Sequence, residues 1–151
     1  MLSLKNLGQV YLESLTEVIA TVTGMHLHVG SCVPDFSFED ITGIMYLNSK
    51  KSGILFVTAN EDDVRVLCSR FIGVPSDEVT EEDLYDTINE LVNMTAGSAN
   101  LRIKDEDYVF PLLQPFVIKG KDVSLITKTI THIEAGILTD GNISISLKVV
   151  Y

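Results

Sequence analysis

Residues 80–100 read TEEDLYDTINELVNMTAGSAN, and this stretch decides the fold because it predicts one long amphipathic helix. Thr80 and Asp83 form a near capping box, with Asp at the position where Glu is usual. The acidic residues after Thr80 suit the positive end of a helix dipole. At about 100° per residue, one side of the helix gathers mostly apolar side chains. This core stripe consists of Leu84, Ile88, Leu91, Val92 and Thr95.

The opposite side of this helix carries a polar ridge, which consists of Asp86, Glu90, Asn93 and Gly97. These four residues fall within roughly 60° on the helical wheel. A glycine inside a helix costs about 1 kcal/mol relative to alanine, and it leaves room for another backbone to approach. Polar residues opposite an apolar stripe are also what any surface helix shows, so spacing alone leaves a solvated face as the ordinary explanation.

Helices and antiparallel strands are predicted on both sides of this helix. Before it, apolar spacing and turn residues predict a helix at about 4–23, a strand at 25–29, a hairpin of 41–48 and 53–58, and a helix at 61–72 that begins after Asn60. After it, strands are predicted at 108–118, 123–134 and 143–150, with an Asp-Gly turn signal before the last. This order predicts a single α+β domain over residues 1–151.

A weak internal repeat divides the chain into two halves. Glu17, Ala20 and Gly24 share the spacing of the ridge residues Glu90, Asn93 and Gly97, and Gly43-Ile44-Met45 echoes Gly136-Ile137-Leu138 in the hairpins that follow. We therefore expect two pseudo-symmetric halves, each a helix followed by an antiparallel hairpin. Because Ala20 has no side-chain amide and cannot replace Asn93, only the second half would carry a site.

Charge and cysteine content exclude some classes of function. The chain has 151 residues and a net charge of −10, which disfavours general nucleic-acid binding and anionic membranes. Cys32 and Cys68 form no CxxC motif, and we expect both to be reduced, buried thiols. The N-terminal residues show no export signal, and no apolar run approaches the ~18 residues of a membrane span. We expect a soluble, cytoplasmic protein.

The stretch from Asp86 to Gly97 resembles the signature of the CheC, CheX and FliY phosphatases. That signature is Asp or Ser, three residues, Glu, two residues, Asn, and a Pro about twenty-two residues further on. Here Pro115 follows Asn93 after twenty-one residues. The spacing of Gly97 and Ala99, the chain length and the element order are also CheX-like. Members similar to CheX carry the motif only in the second half, as this chain does.

The resemblance implies a phosphatase that acts on the aspartyl phosphate of a CheY-like response regulator in chemotaxis or another two-component signalling pathway. The receiver domain would bring its own Mg²⁺ and lysine, and this chain would bind no cofactor. Glu90 would pair with that lysine, and Asn93 would orient the attacking water. Asp86 and Pro115 match positions taken as architectural, and Gly97 would permit close docking. CheX relatives form homodimers, so a homodimer is also expected. The alternative is a receiver-binding or switch-component module without catalysis.

Other groups in the sequence give weaker signals of a functional site. His26 and His28 would share one strand face and could bind a metal with His132, but no acidic or cysteine partner is spaced with them. A cysteine nucleophile lacks a visible base. Phe36-Ser37-Phe38 is better explained as a core or loop anchor. A third hypothesis, an unrelated protein with a surface helix, would be favoured by a buried Asn93.

Overall fold

The computed structural model describes residues 7–31, 37–124 and 132–151. Within these ranges the helices are α1 (Leu7–Thr23), α2 (Glu61–Ile72) and α3 (Glu81–Arg102). The strands are β1 (His28–Ser31), β2 (Ile41–Asn48), β3 (Ser52–Ala59), β4 (Phe116–Lys119), β5 (Ile133–Thr139) and β6 (Ser144–Val150). Short 3-10 turns occupy Ser76–Glu78 and Glu106–Tyr108. The architecture is the α+β class that the sequence predicts.

The six described strands form one antiparallel sheet in the order β1-β5-β6-β3-β2-β4. Exchanging β1 with β4, β2 with β5, and β3 with β6 gives the same order read backwards. Each half therefore supplies a hairpin to the centre of the sheet, and its first strand crosses to pair with the other half's hairpin. This topology has the two-fold pseudo-symmetry that the internal repeat predicts.

The repeated glycines explain why the hairpins resemble each other. A Cβ atom added to Gly43 of β2 would lie 2.6 Å from methyl groups of Ile88 and Val92 on α3. A Cβ added to Gly136 of β5 would lie 2.5 Å from Leu12 on α1. Each half thus uses a strand glycine to let one long helix pack closely on the sheet.

The hydrophobic core lies between the helices and one face of the sheet. All five residues of the predicted core stripe of α3 are buried. Tyr11, Leu15 and Ile19 of α1 are fully buried in the same layer. On the other face of the sheet, Phe38 packs on a smaller cluster that contains Phe56. Phe38 is therefore a core anchor, whereas Phe36 lies outside the described residues.

Side-chain caps fix where two of the helices begin. Asn60 Oδ1 accepts a hydrogen bond from the backbone N–H of Asp63 at 2.8 Å, and Gly73 ends α2 in the left-handed conformation with φ of 74°. At the start of α3, Thr80 Oγ1 accepts from Asp83 N–H at 3.2 Å, and Asp83 Oδ2 accepts from Thr80 N–H at 2.9 Å. The capping box with Asp is confirmed, so the boundaries of α2 and the start of α3 are confirmed too.

Two predicted strands differ from the structure near the first helix and after the third. The first strand begins at His28 instead of residue 25, so His26 precedes it and the two histidines do not share a strand face. The predicted strand 108–118 is wrong over most of its length, because only Phe116–Lys119 pairs with β2. Pro111 and Pro115 lie in the unpaired part, and proline has no N–H to give to a sheet.

Other expectations fall partly outside the described ranges. Residues 4–6 of the first predicted helix and residues 125–131 of the predicted strand 123–134 lie outside them. The described residues 123, 124 and 132 are not in a strand, so the prediction is wrong there. The strand in that region begins at Ile133 and continues beyond the predicted end, to Thr139. Cys68 is free and buried, and burial raises the pKa of its thiol, while Cys32 lies outside the described residues. No helix in the described ranges is long and apolar enough to cross a membrane.

Candidate functional site

Helix α3 presents the polar ridge on the side away from the sheet. Asp86 and Glu90 are exposed, and Asn93 and Gly97 are half-buried. The core stripe on the other side and the capping box at the start hold this helix in place. Asn93 is half-buried and not in the packed interior. A buried Asn93 would have favoured an unrelated protein with a surface helix, so the structure does not favour that hypothesis.

A return segment, residues 103–115, runs back along α3 and forms a wall beside the ridge. Asn100 Nδ2 donates to the carbonyl oxygen of Phe110 at 2.6 Å, and Phe110 N–H donates to Asn100 Oδ1 at 3.2 Å. These two reciprocal hydrogen bonds have the pattern of a hydrogen-bonded residue pair in an antiparallel sheet. They join the return segment to the last turns of α3. Phe110 is itself buried. The amide of Asn100 therefore fixes a segment that has little regular secondary structure.

Further contacts show that the return segment is antiparallel to α3. Leu112 lies near Gly97, since a Cβ added to that glycine would be 3.7 Å from Leu112 Cδ1. At the far end, Lys119 of β4 pairs with Glu81 in the first turn of α3. As the segment advances, its contacts thus move from the end of α3 toward the start. Tyr85 also donates to Glu81, so β4 is joined to α3 by a small polar network.

This network changes the acidity of its members. The hydrogen bond from Lys119 holds the pKa of Glu81 below its ordinary value. The same contact raises the pKa of Lys119. The charged side chains of Glu81 and Lys119 are solvent-exposed and Tyr85 is half-buried. We therefore assign this network a role in orienting β4 and no large contribution to stability.

An open groove lies between α3 and the return segment. Its volume is about 230 Å³. The residues that line it are Asn89, Glu90, Asn93, Leu112, Leu113, Gln114 and Pro115. The groove therefore brings together three of the five residues that the sequence singled out, Glu90, Asn93 and Pro115. Asp86 and Gly97 do not line the groove, but Gly97 lies near Leu112, which does.

Pro115 reaches this groove although one residue fewer separates it from Asn93 than in the signature. It is the last residue before β4, and that strand is fixed by its pairing with β2. The fixed φ of proline stiffens the wall where it enters the sheet. The shorter spacing is therefore compatible with Pro115 lying beside Glu90 and Asn93.

Glu90 and Asn93 are unpaired in the part of the chain that the structure describes. Neither side chain makes a hydrogen bond or ion pair there. Among the described residues, the two cations that form ion pairs with or from α3 have other partners, because Arg102 pairs with Glu13 and Glu17 and Lys119 pairs with Glu81. An acid and an amide one helical turn apart thus remain free to bind groups from another molecule.

The first half of the molecule lacks an equivalent of the return segment. Only residues 24–27 separate α1 from β1, whereas residues 103–115 separate α3 from β4. Glu17, the counterpart of Glu90 in the repeat, is bound by Arg102. Ala20 replaces the amide. These three differences support the expectation that the second half alone carries a site.

The histidines do not form a metal centre with other described groups. Across residues 7–31, 37–124 and 132–151, no cluster of three or more His, Cys, Asp or Glu side chains is arranged to hold an ion. His132 instead stacks on Tyr151, with ring centroids 5.3 Å apart.

Comparison with known proteins decides the family. The family model described as "Chemotaxis phosphatase CheX" matches residues 41–134, more than half of the chain. The chain belongs to the CheX family. The matched range contains α3, the return segment and strands β2 and β4. No curated protein sequence matches the chain significantly.

Solved structures of CheX and CheC-like proteins have the same fold. A CheC-like superfamily protein from Shewanella sp. PV-4 superposes with a TM-score of 0.81 at 21% identity, covering 96% of each chain. CheX from Desulfovibrio desulfuricans gives 0.80 at 18% identity, covering 97% of this chain and 99% of that one. The CheX chain of a Borrelia burgdorferi CheX-CheY-BeF₃-Mg²⁺ complex gives 0.80 at 16% identity, covering 94% and 95%. At these identities the likeness shows the fold.

Sequence reasoning missed four residues of the groove in this CheX-family chain. Asn89 stands between the core stripe and the polar ridge and matches no signature position. Leu112, Leu113 and Gln114 fall in the predicted strand 108–118, although the prolines on either side of them are a signal against a strand. Leu112 and Leu113 are exposed, and sequence alone does not separate such leucines from core residues.

Proposed function

We propose that this chain hydrolyses the aspartyl phosphate of a CheY-like receiver domain, with Asn93 orienting the attacking water and Glu90 pairing with the receiver's lysine. One observation carries the proposal. Glu90 and Asn93 open onto the same groove, one helical turn apart and without described partners, in a chain of a chemotaxis phosphatase family.

The chemistry asks little of this chain beyond positioning. Phosphoryl transfer depends mainly on orientation and on stabilising the charge of the transferred group. The receiver supplies Mg²⁺ and a lysine as part of the substrate, so what it lacks is an ordered water in line with phosphorus. The Asn93 amide can hold a water by hydrogen bonding without titrating, and fixing the nucleophile lowers the entropic part of the barrier.

Glu90 suits the second role because it is exposed and has no cation partner among the described residues. An ion pair with a receiver lysine would form at the surface of contact, where exclusion of water strengthens it. Because the two side chains are three residues apart on a rigid helix, their separation is constant. Pairing at Glu90 therefore also sets where Asn93 stands.

The choice of partner is supported by one relative. The Borrelia burgdorferi CheX of similar fold was solved as a complex with CheY, BeF₃ and Mg²⁺. We take the same class of partner for this chain, a receiver domain with magnesium on the receiver side. We also expect the protein to act in the cytoplasm and to form a homodimer, which size-exclusion chromatography with light scattering would check.

The experiment that tests this function follows dephosphorylation of phosphorylated receivers, drawn from a panel, with Mg²⁺ and catalytic amounts of the chain. Wild type should shorten the lifetime of the phosphoryl group on at least one receiver. Glu90→Ala should abolish the acceleration. Glu82→Ala, a change at an exposed acid in the first turn of the same helix, should keep it.

A wild type that never exceeds spontaneous decay would remove the enzyme proposal. If that wild type still bound the phosphorylated receiver, the chain would instead be a docking or switch-component module of the same fold.

A further inference from the structure

Asn89 is a groove residue for which the mechanism above has no use. It lies one residue before Glu90 and one helical turn before Asn93, and it lines the same groove. Its Oδ1 atom is buried, and no hydrogen-bond donor among the described residues reaches it. Asn89 therefore lies in the groove of the candidate site and has a buried acceptor atom without a donor.

Two other asparagine side chains of the fold have hydrogen-bond partners in the free protein. Asn60 caps α2 through its Oδ1, and Asn100 makes two hydrogen bonds to the backbone of Phe110. Both contribute to stability in the free protein. Asn89 has no such contact through its Oδ1, so the free protein gains nothing there.

A buried amide oxygen without a donor is unfavourable, because it has lost its water and received nothing in exchange. Asparagine is also a poor residue for the interior of a helix compared with leucine or alanine. Asn89 differs from the other buried polar groups without partners, the hydroxyls of Tyr11, Thr87 and Thr95, because it alone among them lines the groove. A molecule docked in the groove would therefore be placed to supply the missing donor.

We propose that Asn89 is a partner-binding residue whose amide turns into the groove and accepts a hydrogen bond from an N–H donor of the docked receiver. This inference rests on the proposed function, since it names a further contact of the same site. Glu90 takes a cation, whereas Asn89 takes a donor that must stand at one position. Asn89 therefore contributes to which receivers fit the groove.

The test compares the dissociation constant of the phosphorylated receiver for wild type and Asn89→Leu, together with the rate of dephosphorylation at saturation. Leucine has a similar size and no acceptor. We expect the affinity to fall about five- to tenfold, the value of one hydrogen bond. The rate at saturation should stay unchanged, and the urea midpoint should be equal or higher, because an unpaired polar group has been removed.

Two further variants separate this role from a structural one. Asn89→Asp keeps an acceptor at the same place and should recover most of the affinity. Asn142→Leu, at an exposed position in the turn between β5 and β6, should bind as wild type does. Unchanged affinity in Asn89→Leu, or a loss of affinity explained by a lower urea midpoint, would overturn the inference. Receiver binding without any acceleration would overturn the phosphatase function and leave this comparison of affinities valid.

Discussion

Arg102 at the end of α3 pairs with Glu17 of α1, the residue that corresponds to Glu90 in the internal repeat. The same guanidinium also contacts Glu13 at 3.6 Å. The acid that would serve a site in the first half is thus used to join the two long helices. The two similar halves thus differ at this position, because Glu17 is held in an ion pair whereas Glu90 has no partner among the described residues.

Restoring the amide to the first half should not create a second site. In an Asn93→Ala background, adding Ala20→Asn is expected to leave dephosphorylation of the receiver at its spontaneous rate. The reason is that Glu17 is held by Arg102 and that the link from α1 to β1, residues 24–27, is too short to form a return segment like residues 103–115. Recovery of activity in this double variant would show that the acid and amide are sufficient without the wall.

The two hydrogen bonds between Asn100 and Phe110 form a clamp that should determine the position of the groove wall, although neither residue lines the groove. Asn100→Ala removes two hydrogen bonds and leaves a backbone N–H and C=O of a buried residue without partners. We expect the free energy of unfolding to fall by about 1–3 kcal/mol in urea denaturation. The dissociation constant for the receiver should rise, because the wall that carries Leu112 and Pro115 is no longer fixed.

The matched control for this clamp is Asn142→Ala at the exposed β5–β6 turn, which should change neither stability nor receiver affinity. A stability loss in Asn100→Ala without any change in receiver affinity would contradict the assigned role of the return segment.

A substitution at Gly97 tests close docking without disturbing the packing of the free protein. A Cβ at this position would be in ordinary van der Waals contact with Leu112 at 3.7 Å, so Gly97→Ala should fold well. Helix propensity predicts that the free energy of unfolding rises by up to about 1 kcal/mol. If the glycine is present to let the receiver approach, the more stable variant will bind it less tightly, as titration of the phosphorylated receiver would show. Affinity equal to that of wild type would mean that the glycine serves no docking function.

The helices could be predicted from the sequence because their signals are local. Asn60, Gly73 and the pair Thr80–Asp83 lie within a few residues of the ends that they determine, and the structure confirms each. The repeat of Gly43 and Gly136 was also visible in the sequence, and in the structure both glycines lie where a hairpin closely contacts a helix. The polar ridge and the core stripe of α3 could be predicted from the helical period alone.

The groove could not be predicted because it depends on contacts between distant parts of the chain. Its wall exists since Asn100 binds the backbone of Phe110 and since β4 pairs with β2, and neither contact has a sequence signal. Leu112 and Leu113 resembled strand residues, so their place opposite Glu90 was missed. Asn89 was missed for a related reason, because its lack of a partner is a property of the folded molecule.

The most direct measurement compares wild type and Asn93→Ala in single-turnover dephosphorylation of a receiver, at chain concentrations that saturate binding. If the amide orients the attacking water, the variant should bind the phosphorylated receiver as tightly as wild type while its rate falls by about 100-fold or more. A variant that dephosphorylates the receiver as fast as wild type, or one whose activity fails only because binding fails, would contradict the role given to Asn93.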